Sequence, residues 1–215
     1  MASGTGATQP TLVYLVRHGA TPSTGKVLPG RAPGLHLAPK GLAQAEAAAT
    51  RLSAISTAPA AIYASPLERT RETAAPIARA LGLRVRTDRG LLECDFGTWT
   101  GRTLKSLMKL PAWRQVQQTP SQFRFPGGES FAEMQARSFG AVVDLAERHR
   151  GASIVAVSHA DPIKAIVAAA AGVPLDLFQR LVISPCSITT LAFSAHGVVV
   201  LGVNATGSLE ELVPS

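Results

Sequence analysis

The chain has 215 residues, 46% of them hydrophobic, with 21 Lys and Arg against 14 Asp and Glu. That is enough to bury a substantial core, and the longest apolar candidate, around residues 163–171, falls short of the roughly 18 residues a membrane span requires, so no membrane partner is expected. The net charge of +7 suits nucleic acid or an anionic substrate, but the arginines are scattered, the densest group being Arg84, Arg86 and Arg89, and aromatics for base stacking are few, which argues against nucleic acid.

Taken in order, MASGTGATQP lacks both a basic start and an apolar h-region and reads as a loose tail, not a signal peptide. Leu12 to Val16 form an unbroken apolar run, the pattern of a strand covered on both faces. The Gly- and Pro-rich PSTGKVLPGRAPGLHL that follows reads as a long loop, often a functional one. From Lys40 to about Ser56 an alanine-rich helix is predicted, with Leu42, Ala45, Ala49, Leu52 and Ile55 as its apolar stripe. Ala60 to Ala64 is a second short strand, followed by Ser65 as N-cap and Pro66 as first residue of a helix that runs to Gly82 with a kink at Pro76. Leu83, Val85 and Thr87 alternate with arginines as in an edge strand.

LLECDFGTWTG is a loop carrying an acid, Thr103 to Gln118 is predicted helical on both sides of Pro111, and PSQFRFPGG is a turn-rich break. A helix follows from Ser130, with Gly151 as its C′ residue; Ser153 to Val157 is the third apolar strand, and PIKAIVAAAAG the next helix. Ser187 to Phe193 and Val198 to Val203 form a hairpin. Cys94 and Cys186 have no CxxC or metal-ligand spacing, so neither a disulfide framework nor a metal site is expected. With no leader and no span, a soluble cytoplasmic protein is expected.

Alternating strands and helices predict an α/β fold with a parallel sheet, whose strands' carboxyl ends all face one way. Three strand-to-helix junctions each deliver a basic or imidazole group to that edge: Arg17 with His18, Arg69, and His159. Two guanidinium forks, two imidazoles and helix N-termini suit a tetrahedral dianion, phosphate first of all. Singly, each has a plainer reading. A histidine is more often satisfied by structural hydrogen bonds than catalytic, Arg69 competes with Arg71, and Glu93 is an ordinary loop carboxylate; only joint placement favours function. His36, His149 and His196 are expected to face solvent, and Glu129 either reaches the pocket or starts the helix after it.

LVRHGAT, SPLERTRETA, LLECDFGTWTG, the GGES at Glu129 and AVSHAD, in this order over Thr11 to Phe193, together resemble the histidine phosphatase superfamily, the phosphoglycerate-mutase-like proteins. The resemblance implies a three-layer α/β/α sandwich with a mostly parallel central sheet, one catalytic domain over residues 11–205 with tails at 1–10 and 206–215. It implies that His18 is the nucleophile that becomes phosphorylated and that Arg17, Arg69 and His159 bind phosphoryl oxygens; the family's SPLxR form favours Arg69 over Arg71. Glu93 is implied as general acid, and its apolar neighbours Leu92 and Phe96 suit a raised pKa. No cofactor and no metal are implied.

Three positions depart from the family pattern. Ala20 stands where Glu is frequent, Thr24 where many members have Asn, and LPGRAPGLHL replaces the usual glutamine-glycine loop, leaving Gly30 as its match and Arg31 as an extra cation. Thr24, Gly30, Arg31 and Ala160 complete the expected substrate-binding set, with Arg31 expected on an anionic part of the substrate. The short Glu93 to Ser130 stretch favours a phosphatase for a small phosphorylated metabolite. A cofactor-dependent phosphoglycerate-type mutase and a low-turnover phosphate-binding module stay as alternatives. Inorganic phosphate is an expected ligand in each case, and a homo-oligomer is compatible with the sequence.

Overall fold

A computed structural model describes residues 9–207; of the expected tails at 1–10 and 206–215, residues 1–8 and 208–215 lie outside the described residues. In chain order the elements are β1 (Thr11–Arg17), α1 (Pro39–Ser53), β2 (Ala61–Ala64), α2 (Glu68–Leu81), β3 (Val85–Thr87), α3 (Leu104–Leu107), α4 (Pro111–Gln118), α5 (Phe131–Arg148), β4 (Ser153–Ser158), α6 (Ala160–Ala170), β5 (Ile188–Ser194) and β6 (Gly197–Ala205). The strands form one sheet in the order β3-β2-β4-β1-β5-β6. Pairing is parallel at β3–β2, β2–β4 and β4–β1 and antiparallel at β1–β5 and β5–β6, so the sheet is mixed, with its parallel half around β4.

Side chains alternate across this sheet into two cores, as period-2 geometry requires. On one face Tyr14, Val16, Ile62, Ala64, Val155 and Val157 pack with Ala45, Ala49 and Leu52 of α1 and Ile77 of α2. On the other, Val13, Leu15, Tyr63, Ile154 and Ala156 pack with Val142 and Leu145 of α5 and Ile163 and Ile166 of α6. This is the expected three-layer arrangement. A third cluster was not anticipated: Cys94, Phe96, Trp99, Leu107, Phe123, Phe125, Phe131 and Phe178 form an aromatic core beneath the acid-bearing loop, with Phe96 and Phe125 rings 4.9 Å apart, edge to face.

Several local expectations are corrected. α2 starts at Glu68 with Leu67 in the extended cap position, not at Pro66 after a Ser65 cap. The Ser65 carbonyl is instead taken by the Thr70 hydroxyl at 2.8 Å, and its own hydroxyl is used elsewhere. Leu42 is 52% exposed, because the face of α1 that meets the core begins at Gly41, whose missing Cβ leaves room for the carbonyl of Ala20. The cap of α5 is His149, with Gly151 two residues beyond it in the left-handed region at φ 74°. Ser130 does cap α5, in a capping box with Glu133.

Candidate active site

β1, β4 and β2 end side by side, and the register pairs Arg17 with Ser158 and Ala64 with Val157. The next residue of each strand therefore sits on the same edge: the His18 amide donates to the Ser158 carbonyl at 3.0 Å, and the Ser65 amide to the Val157 carbonyl at 3.0 Å. Arg17, His18, Ser65 and His159 are brought together by sheet register alone. Arg69, on the first turn of α2, is fully buried beside them, its Nη2 donating to the Gly30 carbonyl at 2.8 Å.

His18 is buried, and its Nδ1 lies 2.8 Å from the Gly19 carbonyl. A carbonyl only accepts, so Nδ1 carries the proton and Nε2 keeps its lone pair. Burial, reinforced by the charges of Arg17 and Arg69, holds the imidazole well below its ordinary pKa of 6.5, so it is neutral near pH 7. His159, wholly buried, has Nε2 2.9 Å from Ser65 Oγ, and its ring meets that of His18 edge-on at 5.2 Å between centroids. It too is held neutral, by burial first and then by Arg69.

The cations are anchored at one end and open at the other. Arg17 donates from Nη1 to the Ile183 carbonyl at 2.6 Å, and Arg69 from Nη2 to Gly30. Arg17 Nε, Arg69 Nε and Nη1 and His159 Nδ1 are buried with no hydrogen-bond partner among the described residues. Buried guanidinium donors are costly to leave unpaired, so these nitrogens form a receptor for an anion with several acceptor oxygens.

The floor is held by close backbone approach. A Cβ on Gly19 would lie 2.5 Å from the Gly41 carbonyl, and one on Gly41 would lie 2.1 Å from the Ala20 carbonyl, so two glycines let the first turn of α1 press on the loop after His18. The Gly19 amide donates to Thr73 Oγ1 at 3.0 Å and the Ala20 amide to Gln44 Oε1 at 2.9 Å. Behind Arg17, Cys186 sits in the left-handed region at φ 56°, and its amide donates to the Arg17 carbonyl at 3.0 Å.

Glu93 is 7% exposed, with Oε1 accepting from the Cys94 amide at 2.9 Å. Burial, together with the nearby Asp161 carboxylate, outweighs Arg69 and Arg17 and pushes its carboxyl up to about 7. A carboxyl with such a pKa is poised to give and take a proton near neutrality. Asp161, in the first turn of α6, was passed over at the sequence level; only the fold brings it near Glu93.

The remaining expected residues are engaged within the protein. Thr24 Oγ1 accepts from the Thr21 amide at 2.9 Å, closing a turn. Gly30 is buried at φ 54° and gives its carbonyl to Arg69. Arg31 donates from Nε to the Glu93 carbonyl at 2.8 Å and pairs with Glu129 at 2.9 Å and Asp95 at 3.5 Å. Ala160 opens α6 directly after His159. Arg71 is exposed, as expected of the competitor. His196 is exposed and His36 pairs with Glu72 on the surface, whereas His149 is half-buried and bonded to the Tyr63 hydroxyl at 2.9 Å, contrary to the expectation of solvent. A cavity of about 680 Å³ opens at the far end, between α5 and the β5–β6 hairpin, and contains none of these groups.

Similarity to known proteins points to one family. Residues 13–206 fit the model of the histidine phosphatase superfamily, branch 1. The chain is 34% identical over 152 residues to phosphoserine phosphatase 1 of Hydrogenobacter thermophilus, covering 70% of this chain and 72% of that one. It is 33% identical over 184 residues to a probable phosphoglycerate mutase of Salmonella choleraesuis, covering 84% of each. It is 36% identical over 204 residues, 93% of this chain, to a bifunctional protein of Mycobacterium tuberculosis, of which it spans only 55%. The structure superposes on a mycobacterial glucosyl-3-phosphoglycerate phosphatase with a TM-score of 0.81 at 28% identity, covering 92% of this chain and 100% of that one; that protein is also known in complex with VO3 and with inorganic phosphate. The chain belongs to the histidine phosphatase superfamily, branch 1.

Proposed function

We propose that the chain is a phosphomonoester hydrolase that passes the phosphoryl group of a small phosphorylated metabolite to His18 and then to water. The observation that carries this is the set of buried nitrogens of Arg17, Arg69 and His159 without a partner among the described residues, around a neutral imidazole whose Nε2 keeps its lone pair. In the first step the Nε2–phosphorus bond forms as the ester phosphorus–oxygen bond breaks, and Glu93 gives its proton to the leaving alkoxide. In the second, water attacks phosphorus, Glu93 takes its proton, and inorganic phosphate departs with Nε2 restored. The cations stabilise charge on the equatorial oxygens of an in-line, loose transition state. We assign Gly30 and Ala160 to the pocket through their backbone, Thr24 to shaping its loop, and Arg31 to the acid loop that it already holds. The cytoplasm is our proposed location, in keeping with two free buried thiols; we propose neither a nucleic-acid nor a membrane partner.

A mutase is the second reading, favoured by the likeness to a probable phosphoglycerate mutase. A panel of phosphomonoesters that includes phosphoserine and phosphoglycerate-type esters, compared by kcat/KM with His18→Ala as blank, separates the two. Stoichiometric phosphate release is expected. Isomerisation of 3-phosphoglycerate in the presence of a bisphosphorylated primer, without net phosphate release, would replace the hydrolase reading by the mutase.

A further inference from the structure

The loop that carries Glu93 lies outside the sheet, and its carbonyls must find partners elsewhere. Residues 90 to 93 do so in an unusual way, because each of four consecutive carbonyls is taken by a side chain. Arg137 Nη1, from α5, donates to Gly90 at 2.7 Å and to Leu92 at 3.1 Å. Ser158 Oγ, at the end of β4 beside His159, donates to Leu91 at 2.8 Å. The Glu93 carbonyl receives Arg31 Nε at 2.8 Å and Arg137 Nη2 at 3.4 Å.

Both arginines converge on Glu129. Arg137 meets it in a fork, Nε to Oε1 at 2.8 Å and Nη2 to Oε2 at 3.0 Å, while Arg31 Nη2 lies 2.9 Å from Oε2. Glu129 returns the contact to the same loop: its Oε2 accepts from the Asp95 amide at 3.1 Å, and its own amide donates to the Asp95 carbonyl at 2.9 Å. Two glycines allow that approach, since a Cβ on Gly128 would lie 2.2 Å from the Asp95 carbonyl and one on Gly97 would lie 2.2 Å from the Pro126 carbonyl. The cluster of Arg31, Arg137, Glu129 and Asp95 is balanced, two charges of each sign, so it braces the loop without adding net charge behind Glu93.

We propose that Arg137, acting with Glu129, is a positioning residue for proton transfer: it fixes the backbone of residues 90–95 so that the Glu93 carboxyl is held in place to protonate the leaving group. This rests on the reading of Glu93 as general acid. A planar guanidinium with five donors can hold three carbonyls and a carboxylate at once, whereas a lysine ammonium cannot hold that fork geometry. The role is therefore geometric, and charge alone does not fill it.

The test compares two phosphomonoesters that differ in their need for a proton, p-nitrophenyl phosphate, whose phenolate leaves unassisted, and an alkyl phosphate, whose alkoxide does not. Arg137→Met is expected to lower kcat/KM, which reports only the transfer to His18 and not the water step that all esters share, by about 10- to 100-fold on the alkyl ester, part of the roughly 10²–10⁴ that a general acid supplies, and by less than about threefold on p-nitrophenyl phosphate. Arg137→Lys should fail to restore the alkyl ester, Glu129→Gln should show the same selective loss, and inhibition by inorganic phosphate should be unchanged throughout. Equal losses on both esters, or full rescue by lysine, would overturn the proposal. If Arg137→Met does not fold, Glu129→Gln with the same two esters decides alone. Failure of the underlying reading looks different: Glu93→Gln would then lose kcat/KM on both esters equally in an otherwise wild-type chain.

Discussion

Glu93 is the residue on which stability and chemistry pull apart. Its carboxyl is pushed up from the ordinary 4.5 to about 7 by burial, with Asp161 adding to the effect. Between those values the unfolded chain has released a proton that the folded chain still holds, so stability falls as pH rises through that window, by up to about 3 kcal/mol. Below 4.5 both states are protonated and the residue contributes nothing. Glu93→Gln should therefore be more stable than wild type at pH 8, by about 1–3 kcal/mol, and close to it at pH 4.5, as read by denaturant midpoints in phosphate-free buffer. An equal difference at both pH values would show that burial does not raise this carboxyl. With Glu93 as the proposed general acid, kcat/KM for alkyl esters should decline above about pH 7 as its carboxyl ionises, while burial and the charges of Arg17 and Arg69 keep His18 neutral across that limb.

At the scale of elements, the fit of α1 against the loop after His18 decides how well the proposed nucleophile is placed. Gly41→Ala puts a methyl 2.1 Å from the Ala20 carbonyl, backbone that cannot swing aside. Loss of about 1–3 kcal/mol is expected, with weaker binding of inorganic phosphate, measured by thermal shift and calorimetry. Gly140→Ala in the interior of α5 meets open space and should instead stabilise by about 0.5–1 kcal/mol through helix propensity. If Gly41→Ala were neutral, the close packing of α1 on the His18 loop would not be what holds it. The sequence placed Ala45, Ala49 and Leu52 on the inward face of α1, as found, but not this contact in the first turn, because apolarity favours Leu42 over the neighbouring Gly41 and says nothing of a close backbone approach. That is why Leu42 was assigned inward while Gly41 takes the buried place.

For the whole molecule, what could be read beforehand follows from locality. Apolar runs ending in Arg17–His18, Ala64–Ser65 and Ser158–His159 are local patterns, and parallel pairing then forces their ends onto one edge, so Arg17, His18, Arg69 and His159 were legible in advance. The aromatic core under Glu93 and the brace of Arg31, Glu129 and Arg137 were not, because they join segments far apart in the chain, 62 residues from Arg31 to Glu93 and 44 from Glu93 to Arg137, that share no period. Asp161 and Ser65 were hidden for the same reason: one was a first-turn acid and the other a presumed cap until the fold set them beside Glu93 and His159. The neutral His18 with its free Nε2, facing unpartnered donors, makes one claim above all others, a covalent phosphohistidine. Brief reaction with a ³²P-labelled phosphomonoester, quenched in alkali where phosphohistidine survives, should leave label on the wild-type chain that acid removes, and none on His18→Ala. Phosphate release by the wild type with no label on the chain, or label that persists in His18→Ala, would contradict the account.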